Sequence, residues 1–227
     1  MQHLPFYIYL VFGTTVIAAI WLFFKATYYS NFFLILLSGW LIIQSVLSIE
    51  GFYNSTDTMT ARFPLLLFPS LLFIIVLFIT KRGKEFIDSL DLATLTIFHI
   101  IRIPVEIVLF LLFLNKSIPE AMTFHGRNPD IISGLSAPVV YYFGFVKRRL
   151  SKPAILVWNV ICLLLLINVI LNAILSLPSR FHQFGFEQPN IALGYFPFIL
   201  LPACLVPLVI LATIASIRQL LHKGGSL

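Results

Sequence analysis

Charge is what this sequence has least of. Only 11% of its 227 residues are Asp, Glu, Lys or Arg, against 59% hydrophobic, and the mean hydropathy is +0.99. A soluble domain carries about a quarter charged residues, so a soluble globule is excluded. Cysteine is scarce as well. Cys162 and Cys204 both fall inside apolar runs, which excludes a disulfide framework. The phosphate-cradling glycine loop, the HExxH zinc motif, the CxxC pair and the GxSxG elbow are all missing. A haem held between helical histidines is excluded too, because His99 has no counterpart at matching depth in another apolar run. The net charge of +6 is not read as a nucleic-acid footprint, since basic residues are what hold membrane loops on the cytoplasmic side.

Long charge-free runs take the place of these features. Residues 1–24, 26–49, 63–80, 153–179 and 188–217 contain no charged side chain. A membrane-spanning helix needs roughly 20 mostly apolar residues, and each run reaches or approaches that length. Residues 1–24 lack a basic n-region and a small-residue cleavage site, so they read as a retained first helix. The turn and charge clusters predict a single all-α, polytopic membrane domain of seven transmembrane helices with no soluble domain. The spans fall at about 5–24, 31–49, 63–80, 92–114, 131–146, 154–175 and 194–217.

Basic residues orient these spans. With the N-terminus outside, the cytoplasmic segments hold Lys25, the Lys81–Arg82–Lys84 group, the Lys147–Arg148–Arg149–Lys152 group, Arg218 and Lys223. The outer side holds only Arg62, Lys116, Arg127 and Arg180. That asymmetry predicts an outside N-terminus and a cytoplasmic C-terminus. The length and topology resemble those of small seven-helix sugar transporters and of microbial rhodopsins. The likeness ends there: the first two spans have no interior proline to match those of the later ones, and the last span has no lysine to hold retinal. Compact loops fit a bacterial inner (cytoplasmic) membrane.

Chemistry concentrates in the fourth span, in the stretch HIIRIPVE. His99, Arg102 and Glu106 fall within an arc of roughly 60° at 3.6 residues per turn, so they share one face. A charge at this depth must face the bundle interior with partners. Glu106, at i+4, is the expected partner of Arg102, and Pro104 between them frees the carbonyl of residue 100. The bland reading is an ion pair that fixes helix packing, and for His99 a hydrogen-bonded core residue.

The connection NKSIPEAMTFHGRNPD adds Glu120, His125, Arg127, Asn128 and Asp130 on the outer side. It leads into a short fifth span, which should draw Arg127 and Asp130 to the membrane surface or just below it. Asp130 could equally be a helix cap, and His125 and Arg127 plain loop residues. Glu50 lies at the outer end of the second span, and Asn54-Ser55-Thr56 beyond it matches a glycosylation acceptor or a polar turn.

The expected ligand-binding set is therefore Arg102, Glu106, His99, Arg127, His125, Asp130 and Glu50 around an outward-facing polar pocket. Its ligand would be a small anionic, zwitterionic or lipid-like molecule, with proton coupling through Glu106. Membrane lipids are the other expected partners, and no nucleic acid is expected. Cofactors and oligomeric state are unassigned. A metal held by His99, Glu106, His125, Asp130 or Glu50 lacks diagnostic spacing. Two readings compete with ligand binding: an intramembrane enzyme acting on a lipid-like substrate at the outer leaflet, and a structural subunit of a membrane complex.

Overall fold

The computed structural model describes residues 4–53, 62–177 and 183–222, which are helical with no strand among them. Asn54-Ser55-Thr56, Arg180, His182 and Lys223 lie outside the described residues. Helix α1 (Phe6–Ala26) follows Pro5. Helix α2 (Asn31–Ile49) starts at Ser30, whose hydroxyl accepts from the Phe33 amide. Helix α3 (Pro64–Ile79) is followed, at 95°, by the short α4 (Lys81–Ser89). Thr80 makes this corner by accepting from the Gly83 amide. A Cβ at Gly83 would strike the Leu77 backbone, so only glycine lets α4 fold back this closely.

Helix α5 runs over Leu92–Leu114, capped by the Asp91 carboxylate on the Thr94 amide at 2.9 Å. It tightens into a 3₁₀ turn at His99–Ile101, just before Pro104. Helix α6 (Ile131–Val146) ends in a π turn at Tyr142–Val146. Helix α7 covers Lys152–Leu175, and α8 (Leu201–His222) opens with a π turn at Leu201–Leu205.

Five helices (α1, α2, α5, α7 and α8) are long and apolar enough to cross a membrane, and the bent α3–α4 pair makes a sixth if taken as one span. Helix α6 is apolar but shorter. The last helix runs over Leu201–His222 rather than 194–217. Pro197 and Pro202 lack the N–H that an earlier start would need, and the helix carries on past Arg218.

The core is built around α8, 72% of whose apolar window is buried against 17% for α2. Helix α8 packs on α2, α3, α4, α5 and α7, and α5 in turn packs on α1 and α6. A helix apolar on all sides belongs at such a centre. Pro207 leaves the Ala203 carbonyl without its helical donor. The Trp40 indole N–H of α2 supplies one instead, at 2.8 Å.

Candidate functional site: a buried charge network

The short α6 sets up the site. Gly134, one turn into it, lies so close to α5 that a Cβ there would sit 2.7 Å from the Ile103 side chain and 2.9 Å from its amide nitrogen. That approach brings Asp130, at the start of α6, against α5. The Arg102 Nη1 donates to Asp130 Oδ1 at 2.7 Å and to the Cys162 carbonyl of α7 at 3.2 Å. Ser133 adds a long bond to the same carboxylate oxygen, 3.4 Å. Arg102 and Asp130 are both buried, with side-chain exposures of 3% and 6%.

Glu106 is held differently from what its i+4 position suggests. Its Oε1 accepts from the Asn128 amide at 2.7 Å, while Arg102 turns to Asp130. Asn128 is the hub of the loop side: it also donates to the Met122 carbonyl at 3.0 Å, and its own Oδ1 accepts from the Asp130 backbone at 3.2 Å. The network therefore runs Arg102, Asp130, Asn128, Glu106, and the expected direct Arg102–Glu106 pair is replaced by an acid from another helix. The reason is the close α5–α6 contact at Gly134, which spacing along one helix does not contain. Asp130 does not cap α6, because its side chain is engaged with Arg102.

Several polar atoms in this region have no protein partner. Arg102 Nε and Nη2, Glu106 Oε2, both ring nitrogens of His99, and Asn159 Oδ1 are buried and unbonded. Orphans this deep ordinarily mark ordered water. A cavity of about 40 Å³ is walled by two of these residues, Arg102 and Glu106, with Asp130 and apolar residues of α5, α7 and α8 such as Leu109 and Val209. That is room for a few water molecules. His99 lies one turn toward the other end of α5, edge-on to the Trp158 ring at 5.1 Å.

The remaining expected residues sit outside the network. Arg127 is exposed, with its guanidinium 4.4 Å over the Phe184 ring. Its contribution to the loop is its carbonyl, which accepts from Asn168 at 2.7 Å and from Asn172 at 3.5 Å. His125 pairs with Glu120 at 2.7 Å on the surface, where both side chains are more than half exposed. Glu50 caps the exposed end of α2. Among the described residues no three His, Cys, Asp or Glu side chains converge as a metal site. The expected set omits Asn128, which stands in the polar outer connection, and Gly134 and the Cys162 carbonyl. Asn128 carried a usable signal, as an amide beside Pro129 in a loop entering a short span. Gly134 and a backbone carbonyl carried none.

The fold and site together define a helical chain with a buried ionisable network among helices long enough to cross a membrane. The chain belongs to the family described as Domain of unknown function (DUF8737), whose model matches residues 63–221, from the start of α3 through all but the last residue of α8. The whole network lies within that stretch. No curated protein and no solved structure matches the chain.

Proposed function

We propose that this protein is an integral membrane binding or transport protein of seven spans, and that its buried network exchanges a proton with a small polar or ionic ligand. The supporting observation is the set of orphaned atoms, Arg102 Nε and Nη2 and Glu106 Oε2, on two residues that line one cavity of about 40 Å³. The network holds two carboxyls, one bonded to the guanidinium and one to the Asn128 amide. With both ionised the cluster is net negative, and with one proton added it is neutral, the form that a low-dielectric interior favours. A water in the cavity can accept from Arg102 and donate to Glu106, so protonation and hydration change together.

The cavity volume favours a proton, water or small ion over a lipid headgroup. A purely structural lock would close its hydrogen bonds, and this one leaves three open. An enzyme acting at the outer leaflet gains little support from His125, which is held by Glu120 at the surface while Glu106 is buried. In this reading α3 and α6 complete the seven spans, the N-terminus is outside and the membrane is a bacterial inner membrane. The short loops and the basic groups on α4 and after α6 support that placement.

Infrared spectroscopy of the purified protein in vesicles tests the proton. A carboxylic-acid band that titrates reversibly, shifts in D₂O and disappears in Glu106→Gln is expected. A spectrum without such a band, or one unchanged by Glu106→Gln, overturns the reading.

A further inference from the structure

A second feature lies on the opposite face of α8 and has no part in the proton network. Helices α2, α3 and α8 splay to leave an apolar groove of about 180 Å³, walled by Phe33 and Trp40 of α2, Pro69 and Phe73 of α3, and Cys204 and Pro207 of α8. Its origin is in the sequence. Pro69 lies inside α3 and Pro207 follows the π turn of α8, and each ring removes a backbone donor and takes up less of the wall than a long side chain would. Ser70 and the bonded Trp40 N–H are the few polar groups present.

At one end the groove meets α4. The Phe86 ring of α4 stacks on Phe33, a groove wall, with ring centroids 6.2 Å apart. Helix α4 is strongly two-faced. Gly83 and Ile87 are buried, whereas Lys81 and Arg82 are exposed and Lys84 half-buried on the other side. Glu85 is exposed among them. Asp88 is committed elsewhere, bonded twice to Arg218 of α8 at 2.9 Å. Gln219 also donates to the Leu90 carbonyl at 2.9 Å, which locks α4 across the bundle end. The 95° bend and the Phe86–Phe33 contact thus set α4 against one wall of the groove, with its basic residues on the side away from the core.

The dimensions agree with one leaflet. From Pro69 to Ile79 is ten residues, about 15 Å of helix, which is about half the hydrocarbon thickness of a bilayer. An acyl chain reaching from the surface at α4 to mid-membrane has that length.

We infer that the α2–α3–α8 groove is a binding site for an anionic phospholipid, with one acyl chain along Phe73 and Trp40 and the phosphate on Lys81, Arg82 and Lys84. The amphipathic helix supplies the charge selectivity, and the gap between α2, α3 and α8 supplies the slot. A zwitterionic lipid fits the slot equally well but gains less from the basic face, since each Lys or Arg near an anionic surface contributes about fivefold in binding.

The test uses the full chain with Trp40 as the remaining indole, from Trp21→Phe and Trp158→Phe, since the sequence has three tryptophans. Bromine-labelled phosphatidylglycerol should quench Trp40 at lower mole fraction than bromine-labelled phosphatidylcholine. Lys81→Gln with Arg82→Gln should remove at least tenfold of that preference, while Ser70→Phe, which fills the groove, should abolish quenching by both lipids. Should the tryptophan variants fold poorly, native mass spectrometry of the wild type reads the same preference as retained phosphatidylglycerol, lost with Lys81→Gln and Arg82→Gln. Equal quenching or retention of the two lipids overturns the inference. So does a dimer whose Trp40 is shielded from every labelled lipid and which Ser70→Phe converts to monomers, because a second copy would then fill the groove. Neither result bears on the infrared band of Glu106.

Discussion

Arg102 bonds through Nη1 alone, to one carboxylate and one carbonyl, and the other two nitrogens of its guanidinium are buried without a protein partner. Its dependence on Asp130 is therefore steep. Removing one member of a buried pair strands the other charge and costs about 3–5 kcal/mol, whereas replacing both by apolar side chains is close to neutral. Asp130→Leu should accordingly lower the thermal stability of the detergent-solubilised protein sharply, and adding Arg102→Met should restore at least half of the loss. Losses that simply add would show the two residues to be energetically independent.

At the level of elements, the network exists because two helices meet at a glycine. Gly134 has Ile103 backbone in front of it, and backbone cannot swing aside as a side-chain end can. Gly134→Val should push α6 off α5, cost about 1–3 kcal/mol by overpacking, and draw Asp130 away from Arg102. The diagnostic measurement is a cycle: Asp130→Leu should cost much less in the Gly134→Val background than in the wild type. An equal cost in both backgrounds would show that Gly134 does not position the pair. The 3₁₀ turn at His99–Ile101 belongs to this scale too, because it sets where the His99–Arg102–Glu106 face points before Pro104 interrupts the ladder.

For the whole molecule the question is which end faces which side. Both native cysteines are buried, so introduced cysteines can report alone. A membrane-impermeant maleimide added to intact cells should label Glu50→Cys and His125→Cys, and should reach Arg82→Cys and Arg149→Cys only after permeabilisation. The reverse pattern would invert the orientation, and mixed labelling within one set would change the number of spans. The two proposed sites then fall on different sides of α8: the ionisable network between α5, α6 and α7, and the lipid groove between α2 and α3.

Composition excluded a soluble globule, because 11% charge leaves no way to solvate one, and charge-free runs of spanning length pointed to apolar helices. Helical periodicity also placed His99, Arg102 and Glu106 on one face, and all three are buried. Tertiary structure decided the partners. Nothing in the spacing of HIIRIPVE states that Asp130, 28 positions on from Arg102, arrives at 2.7 Å, or that a loop amide, Asn128, takes Glu106. Those contacts depend on how closely α6 approaches α5, which is set by the absence of a side chain at Gly134. Sequence can show that a charge needs company inside a membrane, but which neighbour provides it is a matter of helix packing.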